Sequence, residues 1–85
     1  MPERLVELAR SRIASGALPA SAPARTLGGF SLGAMCAVCS ESIASKALEI
    51  EAQFADSAGA SVSVLMHPMC YAAWSSALYQ GFLKP

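Results

Sequence analysis

Three cysteines and the single histidine of this chain fall into two doublets of equal spacing, Cys36-Ala37-Val38-Cys39 and His67-Pro68-Met69-Cys70. Three thiolates and one imidazole complete a tetrahedral set for Zn²⁺, and a set that leaves no position for water is structural rather than catalytic. A two-residue gap lets each doublet span one side of the ion, and the softness of the sulfurs favours zinc over a harder cation. The spacing therefore predicts one structural Zn²⁺ held by Cys36, Cys39, His67 and Cys70, and no enzyme activity. Three other chemistries fit less well. A redox Cys36/Cys39 pair needs a thioredoxin-like βαβ setting, whereas a hairpin is expected to follow here. Hydrolysis at the metal needs a coordination position open to water. His67 as a simple helix cap would leave its matching offset from Cys70 to coincidence.

The remaining composition explains why a metal is needed. The 85 residues suffice for one small domain, and although 54% are hydrophobic, much of that is alanine and only six are aromatic. Such a core stabilises little, whereas structural zinc contributes an apparent ~10–16 kcal/mol to folding at neutral pH. The region beyond residue 30 is expected to be largely unfolded without metal.

Six basic and six acidic side chains cancel, and three thiolates around one Zn²⁺ would shift the total to about −1. A nucleic-acid finger concentrates Lys and Arg on one face, because phosphate neutralisation supplies most of its affinity. Here the basic residues are few and scattered, so nucleic acid is disfavoured. The alternative in that class is a small regulatory zinc finger using Arg10, Arg12 and Arg25. Glu3, Arg4, Glu7, Arg10 and Arg12 interrupt every hydrophobic run near the start of the chain, so neither a signal peptide nor a membrane span of about 18 to 20 apolar residues is expected. The expected compartment is the cytoplasm, where reducing conditions keep thiols free for metal, and an odd cysteine count agrees.

The elements that must position these ligands follow from periodicity. From Pro2 to Ser15, Leu5, Val6, Ala9 and Ile13 recur at helical spacing, with Gly16 as the stop and Leu18 folding back onto the last turn. This amphipathic helix, residues 1–18, either docks on the metal module or offers its apolar stripe to a partner. Residues 19–33 read as a linker followed by a glycine-rich turn at Gly28, Gly29 and Gly33, with Phe30 as a core plug and no context for phosphate binding. Leu48, Ile50, Ala52 and Phe54 alternate with Glu49, Glu51 and Gln53, which predicts a strand with one wet face. Asp56 to Gly59 supplies a turn into a second strand over residues 61–66, making a β-hairpin. Pro68 suits the first position of a helix that runs to about Gln80, with Gly81 as its stop. Cys70, Trp74, Ala77 and Leu78 then share one face, so the thiolate and the indole point into one interior, and Cys70 lies near the helix N-terminus, where the dipole favours a thiolate. Trp74 is expected in the core rather than as half of an aromatic recognition pair with Tyr71. Phe82 and Leu83 either close over that core or stay exposed. Ser40 follows the second cysteine where such knuckles often carry glycine, which predicts a turn that is slightly strained or differently shaped. Lys46 and the backbone N–H groups around Val38 to Ser40 are the expected donors to sulfur.

Knuckle, hairpin, and a helix whose first turn supplies the last two ligands is the order of a treble-clef zinc finger, and the chain from Cys36 to about Gln80 resembles that fold. The longer tract, Cys-Ala-Val-Cys-Ser-Glu-Ser-Ile leading to Leu-Met-His-Pro-Met-Cys-Tyr-Ala-Ala-Trp, resembles a group of small, uncharacterised bacterial zinc-binding proteins with one such finger behind an amino-terminal helix. The resemblance covers roughly half of the chain and implies a metal but no reaction, since treble-clef domains serve nucleic-acid, protein and lipid recognition alike. The expectation is a small α+β metal-stabilised domain in which residues 34–85 form a treble-clef-like unit. Its expected role is protein–protein interaction with an unidentified partner or, as a homo-oligomer, with another copy of itself.

Overall fold

A computed structural model of the chain describes residues 3–55, 59 and 61–81. It contains two helices and one three-stranded antiparallel sheet: α1 (Glu3–Ala14), β1 (Arg25–Phe30), β2 (Leu48–Ala55), β3 (Ser61–Met66) and α2 (Pro68–Gly81). The strands lie in the order β1-β2-β3. The expected turn at residues 56–58 and the tail at Phe82 and Leu83 lie outside the described residues.

The hairpin of β2 and β3 forms as its alternation predicts, with Ile50 opposite Met66, Ala52 opposite Val64 and Phe54 opposite Val62. Ala52, Phe54 and Met66 are buried on the face that receives α2, and Glu49, Glu51 and Gln53 stand on the other. Helix α2 buries Cys70, Ala73, Trp74, Ala77 and Leu78, the i, i+3, i+4 stripe of an inward face. Trp74 is 1% exposed, meets Phe54 edge-on with ring centroids 5.7 Å apart, and has Tyr71 tilted against it at 5.8 Å. Its indole N–H donates to the Pro19 carbonyl at 3.3 Å, so the segment after α1 is tied to α2.

Helix α1 packs on α2. Ala9, Ala73 and Ala77 are fully buried, and their small side chains let the two backbones approach closely. The helix ends where glycine predicts: Gly16 adopts φ 85°, and the Leu18 N–H reaches back to the Arg12 carbonyl at 3.1 Å while the Leu18 side chain enters the core. Helix α2 ends at Gly81, within a residue of the expected stop.

Two expectations for residues 19–33 are corrected. Gly28 and Gly29 are not a turn but the middle of β1, which pairs with the far edge of β2 in the register Arg25 with Gln53 to Phe30 with Leu48. The hairpin is thus a three-stranded sheet. β2 offers a row of backbone N–H and C=O groups on that side, and satisfying them outweighs the poor strand propensity of Arg-Thr-Leu-Gly-Gly-Phe. Phe30 is not a core plug: it sits on the inner-face register beyond the reach of α2 and is 77% exposed. Of the three glycines only Gly33, at φ 92°, serves a turn.

Candidate metal centre

The first doublet sits on a tight knuckle closed by an antiparallel bridge between Met35 and Ser42. Cys36 N–H donates to the Glu41 carbonyl at 2.9 Å, and Ser40 N–H donates to the Cys36 carbonyl at 3.0 Å. Closing so short a loop requires one left-handed residue, and Ser40 fills that position at φ 64°. The knuckle docks on the sheet through Ala37 N–H, which donates to the Leu65 carbonyl at 2.9 Å. The second doublet spans the junction of β3 and α2. His67 is the residue between them, its carbonyl accepts the Tyr71 N–H at 2.8 Å as the first helical bond, and Pro68 begins the helix.

These local structures bring the four donors together. One ligand atom from each of Cys36, Cys39, His67 and Cys70 lies within 4.8 Å of every other. His67 Nδ1 is 3.5 Å from Cys39 Sγ and 3.8 Å from Cys70 Sγ. Around a tetrahedral Zn²⁺ with ordinary bond lengths, sulfur and nitrogen stand about 3.6 Å apart, so these two edges already have the span of a coordination tetrahedron. The widest separation closes by about 1 Å in forming one. Cys36 and Cys70 are buried, whereas Cys39 and His67 are half-buried. Cys39 also borders an open cleft of about 760 Å³ between α1 and the knuckle, lined with Arg4, Leu5, Glu7, Leu8 and Glu41.

The electrostatics call for a cation. Burial pushes the Cys36 thiol up, but backbone N–H groups of Cys39, His67 and Val38, together with the His67 side chain, outweigh it and bring the group from 9.0 down to about 7. His67 N–H lies 3.5 Å from Cys36 Sγ. Cys70 moves the other way, to about 12, through burial first and then the neighbouring sulfurs of Cys36 and Cys39. The favourable N-terminal position on α2 is therefore outweighed, because a second and third negative sulfur in one half-buried site repel one another. A divalent ion bound there would supply the positive charge that lets all three ionise together. The donor set and its spacing thus fit a metal, and zinc is consistent with both.

Sequence reasoning named the four donors but missed what braces them. Arg12, on α1, donates from Nε to the Val38 carbonyl at 3.0 Å and from a terminal nitrogen to Ser40 Oγ at 2.7 Å. It therefore grips the knuckle at both the inter-cysteine segment and its left-handed residue. Ser31 is wholly buried; its hydroxyl donates to the Ile43 carbonyl at 3.0 Å and accepts the Gly33 N–H at 2.9 Å. Neither role has a signal in spacing or composition. The expected backbone donors to sulfur are found, but Lys46 stands in the turn before β2 at φ 70°, with its N–H on the Ser31 carbonyl.

No protein-family model, curated protein or solved structure matches this chain. Among the described residues no helix is long and apolar enough to cross a membrane.

Proposed function

We propose that this chain is a non-enzymatic, structural zinc-binding module that mediates protein–protein interaction, with one Zn²⁺ held by Cys36, Cys39, His67 and Cys70. The convergence of all four donors within 4.8 Å carries the proposal. Zinc would cross-link three pieces of backbone, the knuckle, the end of β3 and the first turn of α2, and four protein donors leave the ion no position for a reacting water. The order of knuckle, hairpin and ligand-bearing helix supports a treble-clef-like unit, with β1 and α1 as additions to it. Reduced thiols suit a cytoplasmic setting.

The nucleic-acid alternative would rely on Arg10, Arg12 and Arg25, and two of these are hydrogen-bonded within the chain. Arg12 holds the knuckle, Arg10 donates to Gln80 at 3.1 Å, and Arg25 sits by Glu51, whose carboxyl is lowered by Gln53 and Ser63 and, behind them, by the Arg25 charge. Interaction with protein is therefore preferred.

Metal analysis with native mass spectrometry tests the metal part, with one zinc per chain expected. Cobalt substitution should give the intense visible bands of a tetrahedral thiolate-rich site. A cooperative fold that survives thorough chelation would overturn the proposal, and three protein ligands plus water would move it toward hydrolysis.

A further inference from the structure

Strand β1 carries three features that the chain's own fold does not use. Its outer edge has no partner strand among the described residues, and all six of its residues are exposed. At the Phe30 end Ser31 N–H donates to the Ala47 carbonyl at 2.7 Å, so the alternation of the ladder turns the amides of Gly28 and Phe30 onto the open edge. Edges are ordinarily blunted by lysine, proline or inward charges; here Arg25, at the start of the strand, is the only charge in it.

The second feature is the glycine pair. Neither Gly28 nor Gly29 adopts the left-handed region, and a Cβ built on either meets nothing within 4 Å. Glycine inside a strand weakens it and often marks the close approach of another backbone or side chain. Nothing among the described residues makes that approach. The third feature is Phe30 itself, which is 77% exposed and has as its register partner Leu48 of β2, 51% exposed.

We propose that two copies of the chain pair antiparallel through β1, forming one six-stranded sheet in which Phe30 of each copy covers Gly28 of the other. This rests on the interaction-module function above and names its partner as a second copy. The strand is self-complementary, since it carries both a large exposed ring and, two residues away on the same face, a position without a side chain. A two-fold axis normal to the sheet keeps the helix-covered face continuous. Pairing centred on Gly28 or Gly29 then sets Phe30 against Gly28 of the other copy, diagonally or directly, as aromatic residues cover glycine in sheets. Phe30, 77% exposed, is the large apolar side chain that such pairing covers in each copy.

Native mass spectrometry and sedimentation of the zinc-loaded chain decide the matter. The expected species is a dimer with two zinc ions, whose Gly28 and Phe30 amides lose exchange protection on dilution. Gly28→Val suits the isolated strand, because the space above it is open, but it blocks the seat of the ring. Phe30→Glu places a charge on the same edge. Each should keep one zinc per chain and raise the dimer dissociation constant about thirtyfold or more. A monomer at every concentration overturns the pairing, and so does a dimer that both substitutions leave intact. Should Gly28→Val fail to fold, Phe30→Glu carries the test alone, since its side chain is mostly in solvent. The zinc count in the same spectra reads the metal site independently, so failure of the pairing and failure of the metal assignment give different results.

Discussion

Replacing Arg12 by alanine should loosen the knuckle from α1 without touching a ligand. Two bonds are lost: one from Nε to the carbonyl of buried Val38 at 3.0 Å and one to Ser40 Oγ at 2.7 Å. A hydrogen bond from a charged group contributes about 1.5–3 kcal/mol. The Val38 bond lies in that range because its carbonyl would be left without a donor under the helix, whereas the Ser40 bond is exposed and contributes about 0.5–1 kcal/mol. The expected loss is about 2–4 kcal/mol, or roughly 10–30 °C in Tm for a domain of this size. Ser40→Ala removes only the second bond and should cost about a quarter as much. Arg12→Lys should resemble the alanine variant, because a single ammonium cannot reproduce the planar fork that spans both acceptors. Urea denaturation of zinc-saturated protein, with zinc affinity read by competition against a chromophoric chelator, measures both effects. If Arg12→Ala lay within about 0.5 kcal/mol of the parent, α1 would be a passenger rather than a brace, and the coupling of helix to metal site would be wrong.

Trp74→Ala should cost about 3–5 kcal/mol, since it empties the space among α2, Phe54 and the Pro19 segment, whereas Trp74→Phe should cost less but release Pro19; thermal denaturation ranks the two. Lys46 holds φ 70° with an exposed side chain, so Lys46→Gly should stabilise by about 1 kcal/mol and Lys46→Val should destabilise, both read from chemical denaturation midpoints. Zinc uptake at pH 7 should expel the Cys70 proton, because that thiol stands at about 12 before metal binds, and part of one from Cys36, which stands at about 7. Apparent affinity therefore falls as pH falls and rises toward alkaline pH, and calorimetry in buffers of different ionisation enthalpy counts the protons; a release of none would contradict the ligand set.

The four donors, the hairpin and the ligand-bearing helix were legible in the sequence because each is specified over short range. A two-residue gap between ligands, an alternation from Leu48 to Phe54, a proline at the helix start and glycine at Gly16 all act through local backbone geometry. The inward stripe of α2 follows from periodicity for the same reason. Strand β1 was not legible: Arg-Thr-Leu-Gly-Gly-Phe has neither alternation nor propensity, and it becomes a strand because the open side of β2 needs hydrogen-bond partners. Arg12 and Ser31 were equally silent, since their partners lie 26 and 12 residues away. What the sequence alone determined is therefore the cluster of three cysteines and one histidine and the elements that present it. Tertiary structure decided the third strand, the exposure of Phe30 and the clamp on the knuckle, because those depend on which distant backbone groups are left unsatisfied once the local elements have formed.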